Sequence, residues 1–295
     1  MRVPWDSRTE GAFNRRIELV GRCDALVFGG DHAAFRVVAW TILSIPRIIH
    51  QTWKNHVIPA HFGPYVRSWL DREKNWRYVF WTDQSLLEFV SLREPSFLPT
   101  YQSLPPGIMR VDMARYLLLY HFGGLYADID YERFRDLSPL LIGSSLVLGW
   151  EWSDVPVGCL GSFVARDAVS GLHREENTLG NAIMASEARH PLWLALVRSI
   201  SANRPGVGVA TPGEVFAITG PESLTRVFAK TAVYQWNYRL VDHQCLYPIG
   251  WHPPVLDDGM AASMFPRAYG AHHWAGTWSM VQPAGVGWVD IRSLV

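Results

Sequence analysis

The sequence has no surplus of either charge. Its 27 Lys and Arg balance 27 Asp and Glu, whereas a general phosphate-backbone binder needs a basic excess, so no nucleic-acid partner is expected. Cysteine is scarce too: Cys23, Cys159 and Cys245 are far apart and odd in number, so they suggest neither a disulfide framework nor a zinc site, and they leave the redox compartment open. The longest apolar run, "VVAWTILSI" at 37–45, is far short of the ~20 residues of a spanning helix. No transmembrane segment is therefore expected in this chain. The opening "MRVPWDSRTEGAFNRR" lacks an apolar segment behind its basic residues, so no secretory signal is recognisable and the chain reads as soluble, any anchor lying upstream of it. Internal repeats and low-complexity tracts are also missing.

What is present is enough apolar residue, 48% of 295, for a full core. Residues 1–44 have weak periodicity and are taken as an N-terminal extension of uncertain order, with one domain over 45–295. From there strand and helix patterns alternate. "RIIHQTW", "RYVFW", "LYADID", "SLVLGWEW" and "GSFVAR" suggest strands. "PYVRSWLDREKN", "QSLLEFV" behind a Thr82 or Asp83 cap, "GIMRVDMARYLLLYHF" ending at Gly123-Gly124, and "PESLTRVFAK" suggest helices. "NAIMASEARHPLWLALVRSI" suggests two helical pieces broken at Pro191, and the proline-rich 95–107 a loop. The alternation predicts an α/β protein with a central sheet and helices on both faces.

"GGLYADID" carries the chemistry. In a strand, Asp128 and Asp130 would face one side together, where two carboxylates need a positive partner. A hard divalent cation, Mg²⁺ or Mn²⁺, suits such oxygen ligands. The plainer explanation is a pair of turn residues bonded to backbone N–H groups. Context favours the metal: Gly123 and Gly124 permit close approach to a ligand, Tyr126 shares the aspartates' face, and Asp112 and Arg115 lie three apart on the preceding helix.

Five ordered stretches, "IPRIIHQTWK", "RVDMARYLLLYHFGGLYADIDYE", "NAIMASEARHP", "ITGPESL" and "AHHWAGTW", closely resemble glycosyltransferase family 32, the D-x-D sugar-binding group. The resemblance covers about 45–280. It implies a GT-A fold, a nucleotide-diphosphate sugar donor (GDP-mannose or a UDP-hexose), Mn²⁺ or Mg²⁺, and retention at the anomeric carbon. Asp130 would then ligate the metal, and Asp128 would contact the donor and the metal. Asp112 and Arg115 would hold the donor sugar, Trp53 would stack on the base, and Asn181 would lie near the anomeric carbon. His273, starting H-x-x-G ahead of Trp278, would complete the metal shell from a closing tail. His272, its neighbour, could exchange roles with it. Glu151 and Asp154 follow a strand and could touch the acceptor, a glycan, sphingolipid or protein.

A glycoside hydrolase also presents paired carboxylates, but two acids on one strand face are poorly placed to bracket a scissile bond. A non-catalytic nucleotide-sugar or glycan binder on the same fold is the remaining alternative. The expected location is the Golgi lumen for a eukaryotic chain whose anchor lies outside this sequence, and the cytoplasm otherwise.

Overall fold

The computed structural model describes residues 45–70, 76–152, 178–204, 210–231, 237–250, 260–276 and 287–294. The expectations for 1–44, "GSFVAR", Asp154 and Trp278 lie outside them.

In chain order the strands are β1 (Ile48–Thr52), β2 (Val57–Pro59), β3 (Arg77–Trp81), β4 (Gly124–Ala127), β5 (Tyr131–Arg133), β6 (Leu146–Trp152), β7 (Thr178–Ser186), β8 (Tyr238–Val241), β9 (Gly270–His272) and β10 (Trp288–Asp290). The longer helices are α1 (Gly63–Leu70), α2 (Asp83–Arg93), α3 (Ile108–Phe122), α4 (Pro191–Ala202), α5 (Pro212–Ile218) and α6 (Pro221–Thr231). Six strands form the main sheet in the order β3-β1-β4-β7-β6-β8. β1 runs parallel to β3 and β4, and β6 parallel to β8; β7 is antiparallel to both of its neighbours. The sheet is therefore mixed.

Strand alternation sends Val79, Trp81, Tyr126, Leu148 and Met184 to one face, against α2, α3, α4 and α6. Ile49, Phe80, Leu125, Ala127 and Ile183 face the other way, against α1 and the short helices Ser138–Leu141 and His243–Leu246. Helices thus cover both faces, as the α/β pattern predicted. Cys245, in the last of these helices, is disulfide-bonded, a pairing that the odd cysteine count gave no reason to expect.

Three local expectations fail for identifiable reasons. "NAIMAS" is not helical: it forms the second half of β7, paired with β4 on one side and β6 on the other. Its Ala and Met are good helix formers, but a strand buried between two neighbours also appears as a continuous apolar run. Asn181 consequently sits in a strand. Within 95–107, Leu98–Ser103 is a short helix with proline in its first turn. Gly123 and Gly124 serve the fold and not a ligand. Their φ values are 61° and 90°, and a Cβ would lie 2.6 Å from Ala188 N at Gly123 and 2.5 Å from Ile48 O at Gly124. Only glycine lets α3 turn directly into β4 at this spacing.

Candidate functional site

The carboxyl ends of β1, β3, β4 and β6 open on one side, where ligands commonly bind in open α/β sheets. A cavity of about 380 Å³ lies there, lined by Trp53, Asp83, Asp128, Asp130, Glu151 and His272 among others. β4 ends at Ala127, so the two aspartates occupy a turn closed by Tyr131 N–H donating to Asp128 O at 3.0 Å, and not the strand face expected. The turn still converges them. Asp128, Asp130 and His272 each offer one ligand atom within a 4.8 Å group.

His272 comes from the tail. β9 pairs antiparallel with β5, with His272 opposite Tyr131, and this register carries the imidazole over the aspartates. Its Nε2 lies 3.2 Å from Asp130 Oδ1 and 3.9 Å from Asp128 Oδ2. Ala275 N–H donates to Asp130 Oδ2 at 2.9 Å. His273, the expected ligand, is directed elsewhere. Its ring stacks on Tyr65 of α1 at 4.1 Å and its Nε2 lies 2.9 Å from Glu132 Oε2. β9 ends at His272, and the next ring is held away by Tyr65 and Glu132, so only His272 reaches the cluster. The register selects His272, and counting back from the glycine in H-x-x-G could not reveal that.

Behind this cluster lies a second one, set into the wall of the same cavity. Arg115 of α3 is 1% exposed. One of its terminal nitrogens lies 3.2 Å from both Asp112 and Asp128, and the other donates to Asn181 O at 2.8 Å. Its guanidinium sits 4.5 Å from the Tyr126 ring centre. Asp112 borders the cavity, but its oxygens are already engaged: besides Arg115 they accept from Asn181 Nδ2 at 3.1 Å and Thr219 Oγ1 at 2.8 Å. Asn181 lies where β7 departs from regular pairing with β6, since Leu148 pairs with Met184 but Gly149 with Gly180. That bulge releases its carbonyl toward Arg115. Tyr126 does not line the cavity. It is fully buried, and its hydroxyl, 2.9 Å from Thr52 Oγ1, donates to Asp128 Oδ1 at 2.8 Å, so it orients Asp128 from behind.

The protonation tendencies follow from burial set against these partners. Burial disfavours the imidazolium of His272, but Asp130 and, further off, Asp128 and Glu151 outweigh it and raise its pKa above the ordinary value. Burial likewise opposes the Asp130 carboxylate, yet His272 and the Ala275 N–H bring it down to about 2. Asp128 is raised, mainly by burial, with Arg115 opposing and Asp130 reinforcing. Burial takes Asp112 up to about 6 in spite of Arg115. Glu151 rises to about 7, chiefly through burial. It falls at a register shift between Trp150 and Trp152 in the β6–β7 ladder, a position at which bulges re-aim side chains.

The donor set of two carboxylates and one imidazole suits a hard or borderline divalent cation such as Mn²⁺. The imidazole Nε2 lies near both carboxylates, which favour its protonated form, and a bound cation would compensate them in that proton's place.

Trp53 half-buries its ring edge-on to Phe62 at 5.6 Å and donates its indole N–H to Val57 O at 3.1 Å, leaving part of the ring on the cavity wall. It serves core and cavity together. Residues not anticipated include Thr219, which anchors Asp112, and Lys54, Asp83 and Phe216 of the cavity wall. The Thr219–Asp112 bond joins residues 107 positions apart, and no local pattern announces it.

Residues 59–147 match the family model described as "Glycosyltransferase sugar-binding region containing DXD motif". Among curated relatives, inositol phosphoceramide mannosyltransferase 3 of Schizosaccharomyces pombe is 36% identical over 157 residues, 53% of this chain and 37% of that protein. Inositol phosphoceramide mannosyltransferase 1 of the same yeast is 28% identical over 79% of this chain and 63% of its own length. The initiation-specific alpha-1,6-mannosyltransferase of Candida albicans is 22% identical over 79% of this chain and 72% of its own length. The resemblance carried by the motifs thus extends to relatives of the kind it implied. The chain spans only 37% and 63% of the two S. pombe proteins. No described helix is long and apolar enough to cross a membrane.

Proposed function

We propose that the protein is a metal-dependent, retaining glycosyltransferase of GT-A type that moves a hexose from a nucleotide-diphosphate sugar to a glycan, lipid or protein acceptor. The observation that carries this is the Asp128–Asp130–His272 cluster, whose ligand atoms lie within 4.8 Å of one another at the wall of the cavity. Mannose is the favoured hexose because the curated relatives are named mannosyltransferases. Retention rests on the family resemblance.

Asp130, Asp128 and His272 would hold Mn²⁺ or Mg²⁺. When bound, the ion supplies Lewis-acid stabilisation of the departing diphosphate. Arg115 keeps Asp128 ionised and aimed, and Asp112 and Asn181 keep Arg115 in place. Trp53 offers a face for the base. Glu151, whose pKa burial pushes up to about 7, can accept or donate a hydrogen bond to a sugar or acceptor hydroxyl.

A converging trio of this kind does not flank a glycosidic bond, which disfavours a hydrolase. A non-catalytic binder would have no use for a carboxylate pair compensated by an exchangeable proton. The test is a panel of nucleotide sugars assayed with Mn²⁺ for release of nucleoside diphosphate, with and without glycan and lipid acceptors. One donor turned over, and the activity lost in EDTA, is the expected result. Binding of a donor without turnover under any of these conditions would favour the binder.

A further inference from the structure

The strand order divides the cavity. Trp53 and Asp83 stand at the ends of β1 and β3, the Asp128–Asp130–His272 cluster lies beyond β4, and Glu151 is at the end of β6, with β4 and β7 between it and Trp53. The tail covers the Glu151 side. Trp274 borders the cavity there, its ring 4.3 Å from that of His272 and 6.1 Å from that of Tyr247. Its indole N–H donates to Ile249 O at 2.7 Å, and its backbone takes a left-handed φ of 52°, a strain of the kind that clusters at functional sites. Tyr247 in turn lies over β6 and β7, where a Cβ at Gly149 or Gly180 would come within 3.0 or 2.3 Å of its ring. The end of the cavity away from Trp53 is therefore built from an aromatic ring and a carboxylate.

We propose that Glu151 is a catalytic residue of the acceptor end, which accepts the hydrogen bond of the attacking hydroxyl and takes its proton. The other carboxylates of the cavity wall are committed. Asp112 is engaged by Arg115, Asn181 and Thr219. Asp128 is held by Arg115 and Tyr126, and Asp130 by His272 and the Ala275 N–H. Asp83 stands at the opposite end. Among the described residues nothing hydrogen-bonds the Glu151 side chain, while the charges of His272 and Asp128 reach it, so it lies beside the cluster from which the diphosphate departs. Transfer with retention brings the acceptor oxygen to that same face of the sugar. As this oxygen bonds to the anomeric carbon, the bond from that carbon to the diphosphate breaks and its electron pair leaves with the diphosphate. The hydroxyl proton passes to a Glu151 carboxylate oxygen and from there to water. A carboxyl whose pKa burial brings to about 7 can take and return a proton at neutral pH. Trp274 offers an apolar face on which a ring acceptor can lie. This inference rests on the proposed transferase function.

The test compares wild type, Glu151→Gln and Glu151→Ala as full chains with Mn²⁺. The donor is whichever of GDP-mannose, UDP-galactose and UDP-glucose wild type turns over. Release of nucleoside diphosphate is followed with methyl α-mannoside, with myo-inositol and with water alone as acceptor. Calorimetric titration with the matching nucleoside diphosphate reads the donor end separately. Both variants should bind that nucleotide as wild type does, which shows them folded, and should lose turnover about a hundredfold to ten-thousandfold, as expected on removing a general base. Added formate, a small carboxylate, should restore part of the rate in Glu151→Ala, where it can occupy the vacated space, and none in Glu151→Gln, where the amide fills it. A purely structural role would not respond to formate. Turnover in Glu151→Gln close to the wild-type rate would mean that the departing diphosphate takes the proton itself. That result, loss of nucleotide binding in both variants, or a Glu151→Ala defect that formate leaves unchanged would overturn the assignment and leave the transferase account standing. Turnover of none of the three donors by wild type would overturn both.

Discussion

Two charged clusters share Asp128 and differ in what compensates it. On one side Arg115, 1% exposed, is locked between Asp112 and Asp128 by α3, β7 and Thr219. On the other, His272 bridges Asp128 and Asp130 at the cavity wall. Arginine cannot be deprotonated in a protein, so its charge is permanent and its role is to hold. An imidazolium can release its proton, so its charge is exchangeable. The sheet thus presents a fixed cation behind Asp128 and a replaceable one in front, and only the front can give way to a metal ion.

The contrast is broken most severely at Arg115. Arg115→Met leaves Asp112 and Asp128 facing each other without their buried cation, and removing one partner of a buried pair costs roughly 3–5 kcal/mol. Urea denaturation should show a loss of that size. His272→Ala should lose much less, since Ala275 N–H still bonds Asp130 and Arg115 still compensates Asp128. Equal losses in the two variants would erase the distinction between a fixed and an exchangeable charge. The smallest expected effect is at Tyr126→Phe. It deletes the hydroxyl that donates to Asp128 Oδ1 at 2.8 Å, worth roughly 1.5–3 kcal/mol of stability for a charged acceptor, while Arg115 still aims the carboxylate. A loss above about 3 kcal/mol in the same denaturation experiment would mean that Tyr126, and not Arg115, holds Asp128.

Much of this was legible in the sequence, but unevenly. Residues 108–130 disclosed a buried helix, a glycine stop and a strand leading into two aspartates, because helix propensity, glycine placement and apolar pattern all agree there. β7 was misread because its Ala and Met favour helix locally while partners distant in sequence make it a central strand. Tyr126 was expected on a strand face shared with the aspartates; they lie in a turn beyond β4 instead, and its burial beneath Asp128 depends on packing that alternation cannot reveal. His272 and His273 are the sharpest case. β9 ends on His272, and the pairing of that residue with Tyr131 is what brings its imidazole, and not the next one, to the aspartates.

That pairing sets the central test, and pH supplies its sign. The His272 pKa is raised above about 6.5, the ordinary histidine value. The stability it contributes without metal is therefore fully present below about 6.5 and lost as pH rises through the raised value. Metal affinity should run the other way, strengthening over that same window as the imidazole gives up its proton. Titrating Mn²⁺ into the protein by calorimetry, in buffers of differing ionisation heat, reads affinity and proton release together. The account predicts that wild type binds Mn²⁺ with release of protons, more of them near pH 6.5 than at higher pH, that His272→Ala loses both affinity and release, and that His273→Ala keeps both. Mn²⁺ binding with proton release intact in His272→Ala, or lost in His273→Ala, would contradict it.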